Sequence, residues 1–118
     1  SVDARRLVFG LLSSFSLLSM ELEGRSYGGG VLKLEPSELQ RVRVILPTMP
    51  ESQLVRAFAE ADRLLRVGDA SAAVALADRT ILRDQLGLSG QDISCLAEGR
   101  EQLWARRAAR GAGRNERP

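Results

Sequence analysis

Residues 24–36 read GRSYGGGVLKLEP, and this stretch decides how the rest of the chain is organised. Its three consecutive glycines, Gly28–Gly30, cannot continue a helix or a strand cheaply, because glycine loses the most backbone entropy on ordering. Val31–Leu34 follow as a predicted short strand, which Glu35 and Pro36 end. The stretch therefore predicts a tight turn that separates an N-terminal element from a strand.

A long apolar stripe precedes this stretch. Leucine or phenylalanine recurs at spacings of three and four residues, at Leu7, Leu11, Phe15, Leu18 and Leu22. This period matches the turn of an α-helix, so we predict one long helix from about Asp3 to Glu23. Small serines interrupt the stripe and would allow close approach of a neighbouring element; they are Ser13, Ser14, Ser16 and Ser19.

The same helix includes an uncharged segment from Leu7 to Met20. A bilayer takes about 20 apolar residues to cross, so this segment suits a buried helix better and no membrane partner is expected. The chain has no initiator Met and no signal-peptide cleavage site. We therefore expect it to begin inside a longer gene product.

Two short elements are predicted between the turn and residue 50. Ser37–Gln40 has the form of a capping box that opens one helical turn. Within Arg41–Leu46 valines alternate with arginines, which predicts a second short strand. Pro47 and Pro50 mark the boundary with the second half of the chain.

Three helices are predicted in the second half. The first would start at a capping box over Thr48–Glu51 and end at Gly68. The second would start at Asp69 or Ser71 and end at Gly87. The third would start at Ser89, with Asp92 three residues on, and end at about Ala109. The linkers between these helices are short, which favours antiparallel neighbours.

The predicted fold class is mainly α with a small β unit (α+β). It comprises a long N-terminal helix, a Gly-rich turn with two short strands, and a three-helix C-terminal bundle. Residues 1–47 would form the helix with its β unit, residues 48–110 a helical subdomain, and residues 111–118 a flexible tail.

Composition argues against several kinds of site. One Cys and no His exclude an intrachain disulfide framework and argue against a zinc cluster, so no metal is expected and a reducing cytoplasm is the natural location. Without His, the usual general base is missing as well. Four acidic residues could be considered for acid–base work, and we predict solvated or ion-paired surface roles for all of them: Glu21, Glu23, Asp62 and Asp78.

The net charge of +2 is unevenly distributed. Residues 100–118 carry six Arg and two Glu, so this end has a charge of +4 and the remainder −2. A cluster of positive charges can attract a negatively charged partner.

The best candidate site on physical grounds lies between Arg25 and Lys33. Two cations flank an aromatic side chain and a run of glycines that lets the backbone approach a partner closely. Cationic side chains, hydroxyls and backbone amides are the groups that contact phosphates. The candidate DNA-binding residues are Arg25, Ser26, Tyr27, Gly28, Gly29, Gly30 and Lys33. The alternative is a tight turn that only needs positive φ at one or two glycines.

The segment from Glu23 to Glu38 resembles the segment that follows the catalytic domain in bacterial adenine-specific DNA methyltransferases of restriction–modification systems. The similarity lies in RSYGGG, in the strand VLKLEP, and in the Pro-bounded apolar run from Val42 to Pro47. It is specific over Gly24–Glu38 and only compositional after Pro50.

This resemblance implies a parent enzyme that transfers a methyl group from S-adenosylmethionine to a flipped adenine. The family's Asn-Pro-Pro-Tyr or Asp-Pro-Pro-Tyr motif and its Gly-rich cofactor loop are both absent here. We therefore expect no catalytic residues, no cofactor and no activity in this chain alone. Its implied role is target recognition on DNA and docking to the missing N-terminal catalytic domain.

Two other interpretations stay open at this stage. The chain could be a helical protein-interaction module with no direct DNA role. The apolar excess of the serine-bearing helix would suit docking to the catalytic domain, or a homodimer through that helix.

Overall fold

The computed structural model describes the backbone of residues 2–115 and the side-chain surroundings of residues 3–27 and 29–110. In chain order its elements are α1 (Val2–Leu11), α2 (Ser14–Glu23), β1 (Arg25–Tyr27), a 3₁₀ turn (Gly28–Gly30), β2 (Val31–Lys33), α3 (Pro36–Leu39), α4 (Glu51–Arg66), α5 (Ala70–Ala77), a π-helical continuation (Asp78–Gln85) and α6 (Gly90–Asn115). Helices dominate and the described sheet has two antiparallel strands, so the predicted class, mainly α with a small β unit, is confirmed.

The predicted single helix over residues 3–23 is wrong, because the chain breaks between α1 and α2. Ser13 has an extended backbone with ψ of 152°, and its hydroxyl accepts a hydrogen bond from the amide of Ser16. A serine in this position satisfies an amide that has no partner within the helix, which is the ordinary N-cap role. The serines therefore start a second helix instead of lining one long helix.

The two strands are not the predicted pair. Val31–Lys33 does form a strand, but its partner is Arg25–Tyr27, on the other side of the glycines. Arg41–Leu46 has no strand pairing. The prediction of a strand over residues 41–46 is wrong because that segment lies against helices: the amide of Arg43 donates to the hydroxyl of Ser19 at 2.8 Å, not to another strand.

Gly10 explains how this extended segment comes so close to α1. A Cβ atom at Gly10 would lie 2.8 Å from the carbonyl oxygen of Ile45 and 3.0 Å from a methyl group of Val44. Only glycine permits this approach of backbone to backbone. The alternation of residues 41–46 therefore reflects packing against a helix surface.

The caps of the later helices match the prediction in part. Asp69 caps α5 by accepting from the amide of Ala72, and Ser89 accepts from the amide of Asp92 at the start of α6. Gly68 and Gly87 end their helices with φ of 81° and 75°. The Thr48 cap is wrong, because Pro50 occupies the N-cap position of α4. The Ser37 cap is also wrong: Glu35 occupies that position, ahead of Pro36.

The core lies where α1, α4, α5 and the π-helical segment meet. Its fully buried apolar members are Phe9, Leu54, Ala61, Ala77, Ile81 and Leu82. Phe9 comes from the first predicted segment and the others from the second, so residues 1–47 and 48–110 share one core.

The last helix, α6, packs mainly against α2 and the 3₁₀ turn, with a smaller contact to the π-helical segment. It therefore covers the N-terminal half of the fold more than it completes a bundle with α4 and α5. Its backbone continues past Ala109 to Asn115; residues 116–118 of the predicted tail lie outside the described residues. Within the described part of the chain, no helix is long and apolar enough to cross a membrane.

The surface role predicted for Asp78 is wrong. This residue is 6% exposed, and its carboxylate accepts from the amide of Ser14 at 2.7 Å and from the hydroxyl of Ser14 at 2.6 Å. The bond joins the first turn of α2 to the junction of α5 and the π-helical segment. Asp62, in contrast, forms the predicted surface ion pair, with Arg66 at 2.9 Å.

Candidate nucleic-acid interface

The structure brings all seven candidate residues together in one β-hairpin. Arg25 pairs with Lys33, Ser26 with Leu32 and Tyr27 with Val31, and the 3₁₀ turn joins the two strands. Side chains directly opposite each other in an antiparallel pair point to the same side. Arg25, Tyr27, Val31 and Lys33 therefore share one side of the hairpin, and all four are exposed. We call these four residues the hairpin face.

The other side of the hairpin turns towards the protein. Leu32 is partly buried, and a Cβ atom at Gly24 would lie 2.7 Å from its Cδ1 atom. Ser26, the cross-strand partner of Leu32, is exposed. One anchored side and one open side leave the hairpin face accessible to a partner.

Both cations of the hairpin face have carboxylate partners. The Nε of Arg25 lies 2.8 Å from Glu38, and the Nζ of Lys33 lies 3.3 Å from Glu35. Like charges directly opposite each other destabilise a strand pair, so these carboxylates stabilise the hairpin. They also keep local charge low: residues 23–38 hold two basic and three acidic side chains.

The environment of Glu38 explains how it holds Arg25. This residue is 3% exposed, and its carboxylate also accepts from the backbone amide of Glu35 at 3.0 Å. The amide of Glu35 and the guanidinium of Arg25 together hold the pKa of Glu38 below its ordinary value. Glu38 correspondingly raises the pKa of Arg25, and Glu35 raises the pKa of Lys33.

Tyr27 and Lys33 interact across the strands. The ammonium group of Lys33 lies 4.7 Å from the centroid of the Tyr27 ring, within the range of a cation–π contact. Tyr27 is 46% exposed. An aromatic ring and a cation held together at the surface can stack on a base or contact a phosphate.

Two glycines of the turn adopt positive φ, as the simpler interpretation of a tight turn requires. Gly29 and Gly30 have φ of 79° and 78°. A Cβ atom at Gly29 would meet nothing within 4 Å, whereas one at Gly30 would lie 2.8 Å from the carbonyl oxygen of Arg107. Gly30 is thus needed for close packing on α6, and Gly29 for its backbone conformation.

Arg107 holds the turn in place from α6. Its guanidinium donates to the carbonyl oxygen of Gly30 at 2.6 Å and to both carboxylate oxygens of Glu21, at 2.6 and 3.2 Å. The side chains of Arg107 and Glu21 are 14% and 7% exposed. The surface role predicted for Glu21 is therefore wrong, because it forms a largely buried ion pair.

Sequence reasoning missed Arg107, Glu21 and Glu38. Arg107 and Glu21 are 86 residues apart, so no local pattern indicates their contact. Glu38 carried a signal, because Glu35 and Glu38 have the three-residue spacing of a capping box, but the prediction used Ser37 as the cap.

The serines between α1 and α2 and at the start of α2 are used inside the fold. Ser13, Ser14 and Ser16 are buried, and the Ser16 hydroxyl donates to the carbonyl oxygen of Gly10 at 3.0 Å. They therefore do not form an external docking surface. The apolar side chains that stay exposed on these helices are Leu7, Val8 and Leu22.

Residues 1–82 match the family model described as type II methyltransferase M.Eco57I, C-terminal domain. No curated protein and no solved structure matches the chain. The match takes in α1 to α5, the hairpin and most of the π-helical segment, while α6 lies beyond it. Because it covers well over half of the 118 residues, the chain belongs to the family of type II methyltransferase C-terminal domains.

Proposed function

We propose that this chain is the non-catalytic C-terminal part of an adenine-specific DNA methyltransferase and that its hairpin contacts DNA. The observation that carries the proposal is the exposed hairpin face, where Tyr27 and Lys33 stand together on an element held to the body of the protein at Gly30. A rigidly held contact loses little entropy when it binds. The family membership supports a parent methyltransferase.

The parent enzyme would take its methyl group from S-adenosylmethionine, but the glycine turn of this chain does not have the form of a site for that cofactor. The glycine turn joins two strands, its Gly30 carbonyl is bonded to Arg107, and Gly29 faces open space. None of this forms an enclosed site for a nucleoside. In this proposal the chain contributes contacts to DNA, and the transfer step belongs to the catalytic domain.

The DNA role predicts that Lys33→Ala weakens binding of a mixed-sequence DNA duplex to this chain. Loss of one phosphate contact lowers the slope of log affinity against log salt by about 0.9. Tyr27→Ala should lower affinity for a single-stranded oligonucleotide by about tenfold with little change of slope, because stacking on an unpaired base is worth roughly 1–3 kcal/mol and is not ionic. Fluorescence anisotropy over a range of salt concentrations measures both effects.

Arg66→Ala is the matched control for Lys33→Ala. Arg66 is also an exposed cation with a carboxylate partner, but it lies on α4. It should leave both affinity and slope at the wild-type values. If Lys33→Ala behaves like Arg66→Ala, and Tyr27→Ala also binds normally, the hairpin is a structural turn and not a DNA contact.

We further propose that α1 docks on the catalytic domain of the methyltransferase. Leu7 and Val8 are 45% and 46% exposed, and with Leu11 they make an apolar outer side of α1 at spacings of one, three and four residues. Docking of a C-terminal domain on its catalytic partner would remove this surface from water.

Replacing Leu7 and Val8 with Asp in the full-length methyltransferase should therefore uncouple the two domains. Calorimetry should show the C-terminal domain unfolding at a lower temperature than in the wild type, since the apolar interface no longer stabilises it. Val67→Asp is the control, because Val67 is 66% exposed at the end of α4. An unchanged transition contradicts the docking role, and a loss of dimer mass in sedimentation would assign α1 to a homodimer instead.

A further inference from the structure

The C-terminal half of α6 carries the strongest positive charge in the described chain. From Gln102 to Asn115 it has four arginines and no acidic residue. These residues lie outside the family match, which ends at residue 82.

One of these arginines is used inside the protein. Arg107 faces Glu21 and the Gly30 carbonyl, and its charge is neutralised by the carboxylate. This interaction also fixes the position of α6 relative to the hairpin. The backbone of Arg107 and Ala108 lies directly against Gly30.

Arg106 and Arg110 differ from Arg107 in their exposure and in their lack of a partner. Both are exposed, and neither has an ion-pair or hydrogen-bond partner among the described residues. Four residues apart, they lie on one flank of α6, about 6 Å apart along its axis. We call them the α6 arginine pair.

Like charges four residues apart destabilise a helix, so the α6 arginine pair is not explained by the stability of α6 alone. A polyanion would relieve this repulsion. The guanidinium group suits phosphate especially well, because its donors form a planar fork that matches two phosphate oxygens.

We propose that Arg106 and Arg110 extend the hairpin face into a single surface for the phosphate backbone of DNA. This inference rests on the proposed DNA role of the hairpin. Gly30 joins the two parts, since it ends the hairpin turn and touches α6 at Arg107. Unlike Arg25 and Lys33, the α6 arginine pair has no carboxylate partner among the described residues that must be displaced before a phosphate can bind.

The test uses the 118-residue chain, a mixed-sequence DNA duplex and the double variant Arg106→Ala/Arg110→Ala. The slope of log affinity against log salt should fall in magnitude by about 1.8, which is about 0.9 for each phosphate that is no longer bound. Between about 50 and about 200 mM salt, the ratio of wild-type to variant affinity should therefore shrink about tenfold. Both arginines are exposed, so the helix content and melting temperature should stay near the wild-type values.

Arg56→Ala/Arg79→Ala is the matched control. It removes the same two charges from exposed arginines on α4 and the π-helical segment, and neither has a partner among the described residues. Its slope should equal that of the wild type. Equal losses in the two double variants would show an effect of net charge only and would overturn the proposal.

The outcomes also separate this inference from the proposed function. If wild-type binding does not depend on salt, the DNA role itself fails. If the wild type and Lys33→Ala behave as expected but the α6 pair variant keeps the wild-type slope, only the α6 inference fails. If the α6 pair variant keeps the wild-type slope but binds the catalytic domain more weakly, the pair contacts an acidic protein surface. That result also overturns the inference that the pair binds DNA.

Discussion

Asp78→Ala is expected to lower the free energy of unfolding by about 3 kcal/mol. The Asp78 carboxylate is the acceptor for both the amide and the hydroxyl of Ser14 in a buried position. Its removal leaves two buried donors without their partner, at a cost of roughly 1–3 kcal/mol each. Domains of this kind have a total stability of about 5–15 kcal/mol, so the loss is a large fraction of it.

Urea unfolding followed by circular dichroism measures this change, and an unchanged m-value would show that stability alone is affected. Asp62→Ala is the matched control, because Asp62 is 47% exposed in its pair with Arg66. Exposed pairs contribute about 0–1 kcal/mol, so this variant should be nearly neutral. The structural role of Asp78 is wrong if both variants lose the same stability.

Ser14→Ala identifies the partner of Asp78. This variant removes the hydroxyl and keeps the amide, so it should cost less than Asp78→Ala. Combining the two changes should cost less than the sum of the single changes, because they remove the same interaction. Strict additivity would show that Asp78 acts through another contact.

Gly30→Ala is expected to lower the free energy of unfolding by about 3 kcal/mol, and Gly29→Ala by about 1 kcal/mol. Both glycines have nearly the same positive φ, so alanine meets a similar backbone penalty of about 1–2 kcal/mol at either position. Only at Gly30 would the new Cβ atom lie 2.8 Å from a backbone carbonyl oxygen. Overpacking of this kind adds roughly 1–3 kcal/mol.

Each glycine is the control for the other, because the difference between the two variants isolates the packing against α6. Amide hydrogen exchange in the hairpin should be faster in Gly30→Ala, since the carbonyl of residue 30 then loses its hydrogen bond from Arg107. Equal losses of stability in the two variants would show that the turn does not depend on its packing against α6.

The main features of the fold could be predicted where local chemistry decides them. Asp69 and Ser89 cap helices, and Gly68 and Gly87 end them, because capping depends on residues within one helical turn. The seven candidate residues were also predicted as one group, because a tight turn keeps neighbours in the chain together in space. Their DNA role stays a prediction.

Other features could not be predicted because they depend on contacts between distant residues. Residues 41–46 have the alternation of a strand, but the surface opposite them belongs to helices. The pattern holds for Val42 and Val44, which are partly buried, but Leu46 is exposed and Ile45 packs against the core. The apolar stripe of residues 7–22 likewise matches a helix, although the serines within it start a second one.

The stretch at residues 24–36 by itself determined that a glycine turn interrupts the chain and leads into a strand, because three consecutive glycines and the following Val-Leu-Lys leave few local alternatives. Only the tertiary structure decided which strand pairs with it and which glycine is indispensable for packing. The physical reason is distance along the chain: Arg107, which donates to the Gly30 carbonyl, is 77 residues from it and 86 residues from its ion-pair partner Glu21. Asp78 and Ser14 are 64 residues apart, so no local sequence pattern could predict the burial of the Asp78 carboxylate.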